Sequence, residues 1–184
     1  MAKPAQSTEI LTVGHSNHEE GHFIELLRGA GVELLVDVRV NPRSRYEHFN
    51  RSALAGSLKE AGIEYMHLGE QLGGRREPAP DSPNRAWEEG GFRGYADHMA
   101  SEQFAEGLAR LRELAGAQRT VVMCAEAEWK ACHRRMIADA LLTDGWRVVH
   151  LAPDGSLSEH ELTDSAVVED GRIIYPETQT SLDV

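Results

Sequence analysis

The side chains best suited to chemistry are gathered in a few short stretches. The densest is Cys124-Ala125-Glu126-Ala127-Glu128-Trp129-Lys130-Ala131-Cys132-His133-Arg134, where two thiols, carboxylates, an imidazole and a guanidinium fall within eleven residues. Cys132 and His133 stand at or just before the start of a helical pattern. There the positive end of a helix dipole lowers a thiol pKa and favours a bound anion, and Arg134 is placed to grip a carboxylate or phosphate with two N–H groups. Several familiar arrangements do not fit. A phosphatase loop needs Arg six residues after its Cys, and position 130 is Lys. Zinc deaminases use a Cys-x-x-Cys, which is absent here. A four-ligand structural zinc site wants short paired spacings, whereas these cysteines are separated by seven residues. A divalent metal held by Cys124, Cys132 and His133, with His15 as a further ligand, stays open, as do small buried thiols with no chemistry. A disulfide between the two would need an oxidising compartment.

The second stretch is Asp37-Val38-Arg39-Val40-Asn41-Pro42-Arg43-Ser44-Arg45. Three Arg alternate through a loop that Pro42 ends as a strand, beside a carboxylate suited to act as a base or to stabilise positive charge. Arg75, Arg76 and Arg93, in a glycine-rich segment, are placed to close over it. Gly14-His15-Ser16 adds an imidazole and a hydroxyl. These residues suggest Asp37 and Glu126 as base or charge stabiliser and His15 as general acid. Ser16, Arg39, Arg43, Arg45 and Arg134 would bind an anionic substrate. The competing reading is a salt-bridged loop that ties a sheet to its neighbours.

Such residues converge only if the fold brings them to one edge. Five apolar runs, Ile10 to Val13, Leu34 to Val38, Tyr65 to Leu68, Thr120 to Cys124 and Arg147 to Leu151, read as buried strands. Helical patterns lie between most of them. One follows a capping box at Ser16 to Glu19, and another starts near Asn50 or Ser52. A third, over Tyr95 to Ala117, is two helices or one kinked near Ser101, and the last runs from Lys130 to Thr143. The alternation predicts an α/β fold: a mostly parallel central sheet of about five strands flanked by helices, with a C-terminal β-hairpin turning at Asp170-Gly171. Each strand then ends in titratable residues at the edge where such sheets bind ligands. The expected organisation is one domain over 1–184. It would have a flexible arm at 1–8, a long glycine-rich loop at 69–94 and an acidic extension at 153–184 that carries the hairpin.

Charge narrows the partners. The 184 residues carry 19 Lys+Arg against 30 Asp+Glu, a net charge of −11. Residues 1–38 and 153–184 account for net charges of −4 and −7, while the segments 39–93 and 94–152 stand at +1 and −1. This balance disfavours a surface that coats duplex DNA. It leaves room for a focused Arg pocket, of the kind suited to an anionic small molecule or a locally bound nucleic acid. No apolar stretch is long enough to span a membrane and the first residues lack a secretion signal, so the expected location is cytoplasmic, with a homodimer a further expectation.

Taken in order, Thr12-Val13-Gly14-His15-Ser16, Val36-Asp37-Val38-Arg39 with Pro42-Arg43-Ser44-Arg45, Tyr65-Met66-His67-Leu68-Gly69 with Leu72-Gly73-Gly74, and Cys124-Ala125-Glu126 with Cys132-His133-Arg134 resemble the domain of unknown function 488 family. The likeness runs from about Ile10 to Leu151. It implies a small α/β domain in which these positions form one site, and it supplies no reaction. The residues themselves favour an enzyme acting on an anionic, nucleotide-like or nucleic-acid-derived substrate by hydrolytic or glycosidic-bond chemistry. The alternatives are a metal- or thiol-dependent protein built on Cys124, Cys132 and His133, and a non-enzymatic module binding single-stranded nucleic acid or a protein.

Overall fold

The computed structural model describes residues 8–178. All five expected strands form, as β1 (Glu9–Gly14), β2 (Leu34–Asp37), β3 (Glu64–His67), β4 (Thr120–Cys124) and β5 (Arg147–Leu151). They lie parallel in the order β3-β2-β4-β1-β5. A sixth strand, β6 (Leu157–Glu159), adds antiparallel to the β5 edge. Its one apolar residue, Leu157, is exposed, so no apolar run announces it.

Central parallel strands are buried on both faces and therefore read as unbroken apolar runs. Along them alternate side chains serve two separate cores. Leu11, Val13, Leu35, Val121 and Met123 pack against Phe23, Leu27, Leu54 and Leu58, from α1 (Glu20–Gly29) and α2 (Arg51–Glu60). Ile10, Leu34, Val36 and Val122 point the other way, toward α3 (Gly69–Leu72), α4 (Gly90–His98), α5 (Glu102–Ala117) and α6 (Arg134–Thr143). The chain leaves β1 into α1 on one face and β4 into α6 on the other. A crevice thus opens between the carboxyl ends of these neighbouring strands, the usual ligand position in such sheets.

Several local expectations change. The capping box at Ser16 to Glu19 does not form: α1 starts at Glu20 with no side-chain cap, and Ser16 has a left-handed backbone, φ 46°. The cause lies in the sheet edge, where the amides of His15 and Ser16 bind the carbonyls of Cys124 (3.0 Å) and Ala125 (2.9 Å) and draw this segment beyond β1. Asn50 precedes α2, yet its Oδ1 accepts from the Ser44 amide instead of capping the helix. The Tyr95 to Ala117 pattern is two helices, and the Ser101 hydroxyl caps the second through the Phe104 amide. The last helix begins at Arg134, later than its apolar pattern, because a 3-10 turn at Trp129–Ala131 intervenes.

The glycine-rich segment is less open than its composition implies. It contains α3 and the start of α4, and Asp97 ties the stretch between them by accepting from the Ala79 amide, the Ser82 hydroxyl and the Asn84 amide nitrogen. The hairpin forms as β7 (Val167–Glu169) and β8 (Arg172–Ile174), with Asp170 at φ 51° and Gly171 at φ 74°, the two left-handed positions a type I′ turn requires. Just after it Tyr175 is fully buried and donates to Asp139 Oδ2 at 2.7 Å. Residues 1–7 of the expected arm and 179–184 of the acidic extension lie outside the described residues. Among the described residues no helix is long and apolar enough to cross a membrane.

Candidate functional site

The stretch from Cys124 to Arg134 is a loop clamped from both sides. Gly14 lets it approach: a Cβ there would lie 1.8 Å from the Glu126 carbonyl oxygen, so every larger residue is excluded. From α6, Arg134 donates through Nη2 to the carbonyls of Glu126 (2.6 Å) and Ala127 (3.3 Å), and through Nη1 to Thr12 Oγ1 (3.3 Å). Its side chain is 1% exposed, so Arg134 shapes the loop from within and does not face the pocket.

The clamp closes the loop on its cysteines. Cys124 at the end of β4 and Cys132 just before α6 bring their sulfurs to 2.6 Å, both thiols free and both buried. Non-bonded carbon atoms settle roughly 3.5–4.0 Å apart, so this is direct contact. The two are not equivalent. Burial pushes both thiols up, and for Cys124 it dominates, holding its pKa well above the ordinary value. For Cys132 burial is opposed by hydrogen bonds from Cys124 and His133 and by the charges of His133 and Arg134, which together hold the pKa well below the ordinary value. The Arg134 amide, at the start of α6, also points at Cys132 Sγ from 3.5 Å. Of the two, Cys132 is the one whose surroundings favour the thiolate and Cys124 the one whose surroundings favour the thiol. Glu126 extends the group, its Oε2 lying 3.3 Å from Cys124 Sγ.

The Asp37 cluster sits at the neighbouring strand end and is internally committed. Asp37 is fully buried and accepts from the Arg39 amide (3.1 Å), Arg39 Nε (2.9 Å), Arg39 Nη2 (2.7 Å) and the Tyr65 hydroxyl (2.7 Å). Arg39 Nη1 reaches His15 Nε2 at 3.2 Å, while His15 Nδ1 donates to the Ser16 carbonyl at 2.9 Å. These contacts fix His15 as the neutral tautomer with its lone pair toward Arg39. Burial, with Arg39 as a smaller contributor, lowers its pKa to about 4. Of the five N–H donors of Arg39, three are used and two remain, one on each terminal nitrogen.

These groups frame a pocket of about 360 Å³, lined among others by Arg39, Arg43, Arg75, Cys124, Cys132 and His133. Arg43 and Arg75 are exposed, with no ion pair or hydrogen bond from their guanidinium groups among the described residues. Arg75 also has a left-handed backbone, φ 60°, a conformation that costs energy outside glycine and gathers at functional sites. Glu89 and Glu126 add negative charge to the same lining. Ser16 and Arg45 fall in an adjoining recess that shares Ala125 and Glu126, and Arg45 there lies over the Tyr46 ring at 5.0 Å. Arg76 and Arg93 are spent on backbone carbonyls of Glu70, Gly73 and Trp87.

As a metal site the arrangement differs from the sequence reading. The ligand atoms that come within 4.8 Å of one another belong to Cys124, Glu126 and Cys132. His133 Nδ1 lies 3.6 Å from Cys132 Sγ, and its Nε2 is buried without a partner. His15 belongs to the Arg39 cluster. Sequence reasoning also missed Tyr65, which holds Asp37, and a buried chain through His150, His160, Asp139 and Tyr175. Tyr65 opens one of the motifs and His150 lies at the end of a strand, but their partners are distant in sequence, Asp37 for the one and Thr12 and His160 for the other, so no local spacing marks the contacts.

Fold and site together define an α/β protein whose strand-edge crevice combines a clamped two-cysteine loop with arginines. The chain belongs to the family described as Domain of unknown function DUF488, whose model matches residues 21–141. No curated protein and no solved structure matches the chain significantly.

Proposed function

We propose that this protein is an enzyme that binds a small anionic substrate in the Arg43–Arg75 pocket and attacks it with the Cys132 thiolate. One observation carries the reading: two guanidinium groups without partners line the same pocket as a cysteine whose surroundings stabilise the thiolate. Glu89 and Glu126 share the lining, so the attraction for an anion rests on the local grip of Arg43 and Arg75 and not on the pocket's net charge. A thiolate is the nucleophilic form of cysteine. The substrate is a phosphate- or carboxylate-bearing molecule, and the recess at Arg45 and Tyr46 has room for a nucleotide-like remainder.

In this reading the acid–base set narrows. Asp37 and His15 are positioning residues, because their polar atoms are used up in aiming Arg39. Glu126 keeps an exposed carboxylate at the pocket edge and takes the proton-transfer role. The chemistry becomes nucleophilic displacement or hydrolysis through a cysteine-bound intermediate, in preference to glycosidic-bond cleavage.

The test uses two alkylating reagents of nearly equal size. Iodoacetate is anionic and iodoacetamide is neutral. The ratio of their rates at Cys132 is expected to exceed that for a small free thiol by at least ~10-fold, and Cys132→Ser is expected to abolish the fast reaction. A ratio equal to that of the free thiol overturns the anion pocket.

A second reading, a metal centre at Cys124, Glu126 and Cys132, is favoured by the proximity of their ligand atoms. The sulfurs, 2.6 Å apart, would have to separate to roughly 3.7 Å to lie about 2.3 Å from one tetrahedral zinc. Stoichiometric metal in the purified protein, lost in Cys124→Ser, is the result that selects it.

A further inference from the structure

With Cys132 as the nucleophile, a second thiol is left unexplained. An acyl or phosphoryl group on Cys132 carries its electrophilic centre on carbon or phosphorus, and water or Glu126 suffices to release it. A thiol in direct contact with Cys132 Sγ itself has no task in such a cycle. It has one if the intermediate is a mixed disulfide, in which Cys132 Sγ becomes the electrophile.

Resting on that role for Cys132, we infer that Cys124 is the resolving thiol of a dithiol–disulfide cycle, and that the substrate is an anion carrying a reducible sulfur–sulfur bond. The geometry supports each part. The sulfurs are 2.6 Å apart at the floor of the pocket, so the second attack needs little motion. Cys124 holds its proton, and Glu126 Oε2 is placed 3.3 Å from that sulfur to take it. Gly14 and Arg134 hold the loop at the same place, Glu126 and Ala127, from the β1 side and from α6, and so close it on its two cysteines. The partnerless arginines of the pocket select for negative charge on the substrate.

The electron count closes. The Cys132 thiolate attacks one sulfur of R–S–S–R′, the substrate S–S bond breaks, R′–S⁻ leaves with the electron pair, and Cys132–S–S–R forms. Cys124 passes its proton to Glu126 and attacks Cys132 Sγ; the Cys124–Cys132 bond forms and R–S⁻ leaves. The substrate gains two electrons, and its two thiolates take up protons from Glu126 and solvent. The cysteine pair loses the same two electrons, and a dithiol reductant from outside the protein restores it.

Reduced protein, freed of reductant, is mixed with the doubly carboxylated aromatic disulfide dithiobis-nitrobenzoate and, separately, with an uncharged dipyridyl disulfide. Released thiolate and intact mass are followed. The expected result is two aryl thiolates released per chain and a product that is the unmodified chain less two hydrogens. Cys124→Ser is expected to release one and to retain the aryl adduct. A wild-type product that keeps one or two aryl groups overturns the resolving role, and this outcome needs no variant to fold. The pocket is judged apart from it: the charged reagent is expected to outpace the uncharged one by at least ~10-fold relative to a free thiol. Disulfide formation without that preference removes the anion pocket while leaving the thiol pair. The preference with retained adducts removes the resolving role alone.

Discussion

Two groups of polar side chains meet at Arg134, and they differ in how completely their hydrogen bonds are satisfied. On one side Arg134 donates to Thr12, Thr12 to His150 (2.7 Å), His150 to His160 (3.0 Å) and His160 to Asp139 (2.8 Å), with Tyr175 closing on Asp139 from the far end (2.7 Å). One direction of donation satisfies both rings of this chain, and Trp129 stacks on His150 at 4.1 Å. At the junction itself Arg134 Nε is buried without a partner; beyond it, in the cysteine pocket, His133 Nε2 is likewise buried without one, and the guanidinium groups of Arg43 and Arg75 have no partners among the described residues. Both groups are rich in histidine, carboxylate and guanidinium, so composition does not tell them apart. The saturated group ties β1, β5, α6 and the tail together. The unsaturated one leaves the donors of two exposed arginines facing the pocket.

If saturation marks structure, the saturated side should fail hardest when cut. Asp139 accepts from His160, from the Thr163 amide at 3.0 Å and from Tyr175, and is fully buried. Asp139→Ala orphans three buried donors at once, and removing one partner from such a network costs ~3–5 kcal/mol. Urea unfolding is expected to register that loss, while the folded fraction keeps its preference for iodoacetate. A change below ~1 kcal/mol would mean that the chain of contacts is incidental, and the contrast between the regions would fall with it.

Acid probes the saturated side through His150 and the Arg39 cluster beside the pocket through His15, two buried rings held neutral. Burial lowers His15 to about 4. Burial first, then His160 and Arg134, lowers His150 to about 3. In the unfolded chain both protonate near 6.5. Between 6.5 and those values the unfolded chain binds protons that the folded one refuses, so the stability is fully present above pH 6.5 and is lost progressively down to pH 4 and 3. A tenfold difference in proton affinity between the two states is worth ~1.4 kcal/mol, so unfolding measured at pH 7 and pH 4.5 is expected to differ by a few kcal/mol. Equal stabilities would show that neither ring is held as described.

The sheet was legible in the sequence because parallel strands buried on both faces read as unbroken apolar runs; β6, short and exposed, gave no such signal. The strand-end rule singled out one edge because it depends on topology alone, and His15, Asp37, Cys124 and Glu126 do gather there. Local chemistry misled where the site overrode it. Ser16 reads as a helix cap, and the carbonyl of Ala125 pulls it out of that role. Arg134 reads as an anion grip and is spent on the loop carbonyls. The contact between Cys124 and Cys132 depends on a loop closed by Gly14, more than a hundred residues away, and no spacing within the motif encodes that.

Smaller effects separate positioning from binding. Tyr65→Phe removes one of the donors to Asp37 and leaves the carboxylate bound to Arg39. The loss is expected at about 1 kcal/mol, that of one buried hydrogen bond. Burial and Asp37 hold the Tyr65 pKa above its ordinary value, so no ionised phenolate is lost near neutrality. If Arg39 is aimed through Asp37, alkylation by iodoacetate slows modestly while iodoacetamide is unaffected. Equal slowing of both reagents would indicate that Tyr65 acts on Cys132 and not on the arginine.

Arg43→Ala should barely move stability, and that makes it the sharpest test of the contrast. Its guanidinium is exposed and has no partner among the described residues, and surface substitutions of this kind fall within about ±0.5 kcal/mol. If the arginine is present to hold an anion, its loss is expected to lower the iodoacetate rate by ~10-fold, equivalent to ~1.4 kcal/mol of attraction, at an unchanged iodoacetamide rate. High salt should narrow the gap between wild type and variant, since an exposed charge is screened over roughly 10 Å at 0.1 M. A variant that loses stability and keeps its reagent preference would place Arg43 with the saturated side chains, and the pocket would then hold its charge for the fold alone.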